Sequence, residues 1–190
     1  METVLNNSFD WAQKAYSEGK IFVAFDLETT GLDFRQDKIV EIGAVKFDNK
    51  GPIAGFSTLI NPGIPMPAEA GRVNKITDEM LKGKPTMDEV FPDFLFFIHN
   101  TVLAAHNAPF DCGFINEKLK NSPASPFPTL PNPVIDTLVF SRERFPGKRS
   151  YSLSNLAAEI NIPVQNAHRG ENDARLCMEI LILCMGKEHP

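Results

Sequence analysis

Three runs of alternating apolar residues are crowded between positions 21 and 60, with connections too short for any crossover. In residues 21–28, Ile21, Val23, Phe25 and Leu27 fall on one face and Phe22, Ala24, Asp26 and Glu28 on the other. Residues 39–47 and 53–60 repeat the pattern, separated by the turn-forming Asn49, Lys50, Gly51 and Pro52. Parallel pairing needs a connection of about a dozen residues or more, so these runs are expected to form a three-stranded antiparallel meander. After a Pro- and Gly-containing loop at 61–67 the period changes. Thr86 and Glu89 have the spacing of a capping box. Met87, Val90, Phe91, Phe94, Leu95 and Ile98 form a helical stripe, in which Pro92 is expected to bend the helix or loosen its first turns. Phe96 and Phe97 lie off the stripe. They are expected to be buried by a wide helix face or, if exposed, to form an aromatic patch for a partner. Residues 102–105 read as a short buried strand, and Pro109 suits the first turn of a helix ending near Lys120. Residues 122–133, with five prolines, read as an irregular loop, and helices are expected over 136–144, 152–160 and 171–185. This order describes an α/β domain with a mixed sheet and helices on both faces.

At 190 residues and 43% apolar content the chain has enough material for one core. It shows no internal repeat, no apolar run of membrane-spanning length and no secretory signal in residues 1–20. Cys112, Cys177 and Cys184 are odd in number and lack a C-x-x-C pair. They are expected as buried thiols of a reducing, cytoplasmic setting rather than as a zinc site or disulfide framework. The net charge of −5 argues against a broad basic face. It leaves nucleic acid open, because acids loaded with divalent cations become locally positive.

Four acids carry the chemical signal. Asp26 and Glu28 share a strand face, a spacing that alone arises roughly once by chance in a chain this acidic. Asp173 heads the apolar series Leu176, Cys177, Ile180, Leu181 and Cys184, so it points inward from a first helical turn. Asp111 stands likewise ahead of Phe114 and Ile115. Helix N-termini favour the ionised form of both acids, and unpaired burial would be costly, so the set calls for a cation. Oxygen-only ligands suit Mg²⁺ or Mn²⁺, and two such ions can clamp a phosphoryl displacement. His168, five residues before Asp173, is expected in the preceding loop, free to swing over the site. His99, His106 and His189 are expected as surface or capping residues.

Phe25-Asp26-Leu27-Glu28-Thr29-Thr30-Gly31, His106-Asn107-Ala108-Pro109-Phe110-Asp111 and His168-Arg169-Gly170-Glu171-Asn172-Asp173-Ala174 resemble, in order, the three motifs of the DEDDh exonuclease family. The likeness runs from about Gly19 to Met185. It is nearest to proofreading (epsilon) subunits of bacterial DNA polymerase III and to exonuclease domains embedded in some bacterial replicative polymerases. Val73-Asn74-Lys75-Ile76-Thr77 and Tyr151-Ser152-Leu153 also fit, although position 74 is often histidine in that pattern. The resemblance implies a ribonuclease H-like fold, a five-stranded mixed sheet with three antiparallel strands flanked by helices. It divides the chain into an N-terminal extension (1–19), an exonuclease domain (20–186) and a short C-terminal end (187–190).

The resemblance also implies roles. Asp26 bridges two divalent cations, Glu28 and Asp173 complete the first site and Asp111 holds the second. His168 acts as general base. Thr29 holds the terminal 3′-hydroxyl through backbone groups, Leu32, Val73 and Phe110 pack around the last bases, and Asn74 is a further substrate contact. Asn107 helps to fix the second motif. The implied reaction removes nucleoside 5′-monophosphates from single-stranded or frayed 3′ ends of DNA, in proofreading or repair. RNA trimming by the same chemistry and a non-catalytic binding module are the competing functions; the second predicts loss of a site residue, and all five are present. The chain ends soon after its last expected helix, so either it acts alone or it meets a DNA polymerase subunit through another surface. Arg142, Arg144, Lys148 and Arg149 are expected either along the strand's phosphate path or in a solvated basic loop.

Overall fold

The computed structural model describes residues 3, 5–122, 126–164 and 169–186. Its sheet has five strands in the order β3-β2-β1-β4-β5. These are β1 (Phe22–Thr29), β2 (Ile39–Asp48), β3 (Gly51–Leu59), β4 (Val102–Ala105) and β5 (Val134–Asp136). β1, β2 and β3 pair antiparallel, as their short connections require, while β4 and β5 continue the sheet in parallel. The turn between β2 and β3 is tighter than expected. Asp48 already pairs with Gly51, which takes φ +125°, a value open to glycine. Exposed β3 is the sheet edge, where Pro52 costs no interior ladder bond.

Alternation along β1 divides the core in two. Phe22 and Ala24 face a layer containing α1 (Phe9–Ser17), α6 (Thr137–Arg144), α7 (Leu153–Glu159) and α8 (Gly170–Gly186). Val23, Phe25 and Leu27 face α4 (Met87–Ile98) and α5 (Ala108–Lys120). Each fully buried phenylalanine of these layers contributes about 1.5–3 kcal/mol. α8 carries the expected stripe, with Leu176, Cys177, Ile180, Leu181 and Cys184 all buried. The three cysteines are buried thiols outside any disulfide, and burial holds Cys112 up to about 12, so it stays protonated. Thr86 and Glu89 close the capping box, and α4 runs on through Pro92 without interruption.

Several elements depart from the periodicity reading. Residues 1–19 contribute α1, capped by Ser8, whose Phe9 stacks on Phe140 at 4.0 Å and whose Ala12 and Ala15 are buried. α2 (Ala68–Asn74) and α3 (Asp78–Leu81) fill a stretch with no long apolar stripe. Phe96 and Phe97 part company. Phe97 packs 5.5 Å from Phe56 beneath the Lys46 ammonium, whereas Phe96 is 84% exposed. Burial of both rings, the bland expectation, is therefore corrected for Phe96.

Candidate active site

At the C-terminal end of β1, Asp26 and Glu28 continue the face begun by Phe22 and Ala24, the face that α8 covers. Asp173, in the first turn of α8 and 5% exposed, meets them there. One oxygen from each of Asp26, Glu28 and Asp173 lies within 4.8 Å of the others. Asp111 approaches the same strand end from α5. It is buried, and its Oδ1 accepts the Leu27 N–H at 3.1 Å, which sets it beside the three-acid set rather than within it.

Crowded carboxylates in a buried position resist ionisation. Burial, reinforced by Asp111, Glu28, Asp173 and Glu41, holds Asp26 well above the usual carboxylate range. Burial and then the charges of Asp173 and Glu41 push Glu28 up to about 8, against the opposing pull of Arg169 and an Asn74 hydrogen bond. Burial pushes Asp111 up to about 8 as well, although the Leu27 N–H pulls the other way. An all-oxygen set under this much mutual repulsion fits a hard divalent cation, which relieves the repulsion on binding.

These shifts fix the sign of a pH effect. In the metal-free fold Glu28 and Asp111 keep their protons to about pH 8, whereas in the unfolded chain they lose them near pH 4. Between those values the folded state binds more protons, so stability is fully present at the acid end and is lost as pH rises toward 8. The melting temperature of the metal-free protein is expected to fall by about 5–10 °C from roughly pH 5.5 to 8.5. Mg²⁺ or Mn²⁺ should restore more of it at the alkaline end, where the ligands are ionised. A melting temperature that climbs over this range in EDTA contradicts the carboxylate assignment.

An open pocket of about 410 Å³ joins Asp26, Glu28 and Asp173 to His106 and to Ser152, Leu153, Ser154 and Asn155 at the start of α7. A larger groove of about 850 Å³, edged by Phe96 and Phe127, contains none of these acids. His106, expected at the surface or at a cap, is instead half-buried. Its Nε2–H donates to the Tyr151 carbonyl at 2.7 Å, Nδ1 lies 3.0 Å from the Thr137 hydroxyl, and burial lowers its pKa. It is a neutral strut that ties the α7 entrance to the pocket. The signal was its place at the head of the second motif, but a lone histidine gives no hint of a partner 45 residues away.

The remaining candidates divide by exposure. Leu32 and Val73 are exposed apolar side chains, at 84% and 61%, while Phe110 is half-buried with its ring 5.1 Å from that of Phe114. Thr29 is buried and donates from Oγ1 to the Gly31 carbonyl at 2.6 Å. Asn74 is 2% exposed, and its amide donates to the Thr29 carbonyl while its oxygen accepts the Ile76 N–H. Asn107 takes left-handed φ 70° at the start of α5, held by its N–H to Asp136 Oδ1 at 3.1 Å. His168 and His189 lie outside the described residues. The basic segment is not one surface: Arg144 is buried with its guanidinium 4.2 Å from the Phe9 ring centre, and Lys148 approaches Glu159.

The RNase_T family model, described as an exonuclease, matches residues 23–181. The chain belongs to this exonuclease family. Over 174 residues it is 47% identical to the DNA polymerase III subunit epsilon of Treponema pallidum, spanning 90% of this chain and 79% of that protein. It is 41% identical over 160 residues to the PolC-type DNA polymerase III of Clostridium perfringens, where the match spans 84% of this chain but 11% of the polymerase. The solved structure of exonuclease X in complex with 5′-overhanging duplex DNA superposes with a TM-score of 0.69 at 28% identity, covering 86% of this chain and 90% of that one. The exonuclease thus has the ribonuclease H-like fold implied by its motifs and is of the epsilon type. Its family is metal-dependent, in keeping with the acid cluster. Among the described residues, no helix is long and apolar enough to cross a membrane.

Proposed function

We propose that this exonuclease degrades DNA from its 3′ end, releasing nucleoside 5′-monophosphates with the help of two Mg²⁺ or Mn²⁺ ions, and serves proofreading or repair. The convergence of Asp26, Glu28 and Asp173 within 4.8 Å, with Asp111 fastened to the same strand, carries this reading. Asp26, Glu28 and Asp173 would hold one ion, and Asp111 with Asp26 would hold the other. Bound divalent cations supply Lewis-acid polarisation of the scissile phosphate and make the attacking water more acidic.

The chain's own residues position and deprotonate. His168 takes the proton of the attacking water as the new P–O bond forms and the bond to the penultimate 3′-oxygen breaks. Thr29 holds the terminal 3′-hydroxyl through its backbone, and Asn74, buried beneath it, fixes that backbone through its bond to the Thr29 carbonyl. Leu32, Val73 and Phe110 offer apolar surface to the last bases. Asn107 holds the second motif in register through Asp136. The epsilon subunit and the polymerase-embedded relative favour DNA as substrate and a DNA polymerase as partner.

A terminal base must leave its stack to enter such a site, at a cost of a few kcal/mol. Single-stranded or frayed DNA ends are therefore expected to be digested faster than paired ends, and DNA faster than RNA. Matched DNA and RNA oligonucleotides, single-stranded and blunt-ended, digested side by side with Mg²⁺ or Mn²⁺ test this. Equal or faster digestion of the blunt duplex contradicts the fraying requirement, and preference for RNA contradicts the substrate.

A further inference from the structure

We propose that Glu41 and Arg169 form a positioning pair that seats the start of α8, and with it Asp173, against the metal-binding acids of β1. This inference rests on the metal-site reading above.

Glu41 is 1% exposed on β2, and the β1–β2 register places it directly opposite Glu28. Two carboxylates facing each other across neighbouring strands repel, and a buried charge needs a partner. Arg169 supplies one. Its Nη2 donates to Glu41 Oε1 at 3.1 Å, and its Nε lies 3.3 Å from both carboxylate oxygens. The Gly170 N–H donates to Glu41 Oε2 at 3.2 Å. The Arg169 carbonyl in turn accepts the Asp173 N–H at 3.0 Å, a backbone bond in the first turn of α8. Glu41 therefore grips the two residues from which α8 springs. It satisfies one of the orphan N–H groups there and sets a negative charge at the positive end of the helix.

A second contact sets the distance. Gly43 lies opposite Asp26, and a Cβ built on it would fall 1.8 Å from the Gly170 carbonyl carbon. Helix and sheet thus meet backbone to backbone, with no side chain between them, one turn before Asp173. Residues opposite Asp26 and Glu28 on β2 hold the helix that brings the third acid to them.

Charge and position predict opposite signs for one substitution. Arg169→Met removes a cation near the site, which by Coulomb attraction alone would tighten metal binding. If Arg169 acts by seating α8, its loss weakens binding, on the scale of about tenfold seen when partners of metal ligands are removed. The experiment is Mn²⁺ titration followed by electron paramagnetic resonance, without DNA. It uses the wild type, Asp26→Asn, Arg169→Met, Arg169→Lys and the double variant Glu41→Gln/Arg169→Met. The side chain of Arg169 is 42% exposed, so its single variants should fold, which melting curves verify. Expected are about tenfold weaker binding in Arg169→Met, partial recovery in Arg169→Lys, and no recovery in the double variant, whose net charge equals that of the wild type. Arg169→Met binding as tightly as the wild type or tighter, or a double variant restored to wild-type affinity, overturns the positioning role. If Asp26→Asn binds Mn²⁺ as the wild type does, the metal-site reading itself falls.

Discussion

Asp26→Asn is expected to lower kcat by roughly 10⁴-fold or more, while the fold survives and the metal-free protein becomes more stable than the wild type. Asparagine keeps the shape of the carboxyl group and loses its charge. The bridging ligand of the proposed two-ion site would then be gone, and a factor of about 10⁴ corresponds to roughly 5.5 kcal/mol of transition-state stabilisation. Stability moves the other way because Asp26 is half-buried and crowded by Asp111, Glu28, Asp173 and Glu41, so that desolvation and their charges disfavour its ionised form. Removing that repulsion should raise the melting temperature by about 2–5 °C in EDTA near pH 8. Circular dichroism and nucleotide release measured on one preparation test both halves. A folded Asp26→Asn with full activity, or wild-type turnover in excess EDTA, contradicts the metal-dependent mechanism.

His168→Ala should lower kcat by about 10²–10⁴-fold, the usual contribution of a general base. His168 precedes Asp173 by five residues, and its unperturbed pKa of about 6.5 suits proton removal near neutrality. DNA affinity and metal requirement should change little, because the proposed metal ligands are carboxylates. The wild-type rate should rise with pH along a limb that the variant lacks. A structural histidine would leave the opposite signature, with a lower melting temperature and an unaltered pH profile. Purified, folded His168→Ala with near-wild-type kcat contradicts the general-base role.

The contrast between elements explains what periodicity made visible. β1, β2 and α8 each bury a face through eight or more residues, so their apolar spacing rises above chance, and the direction of Asp173 followed from the stripe it heads. β5 is three residues long and α3 four, too short for any period to register. α1 buries only Phe9, Ala12 and Ala15, and two alanines make a faint stripe. Glu41 was legible in principle, as a charge inside the apolar run Ile39, Val40, Ile42, Gly43, Ala44. Its meaning needed the strand register that sets it opposite Glu28 and the tertiary contact with Arg169, neither of which is local. His106 shows the same limit, since its two partners come from distant segments.

Direction and metal dependence together form the central claim, and one experiment reads both. A single-stranded DNA oligonucleotide labelled at its 5′ end is incubated with the protein, with Mg²⁺ or with EDTA, and products are resolved at single-nucleotide spacing. With Mg²⁺ the labelled strand should shorten one nucleotide at a time into a descending ladder, with unlabelled nucleoside 5′-monophosphates released, and in EDTA it should stay whole. Immediate release of the label as a mononucleotide or short fragment, or an unchanged ladder in EDTA, would contradict a metal-dependent 3′→5′ exonuclease.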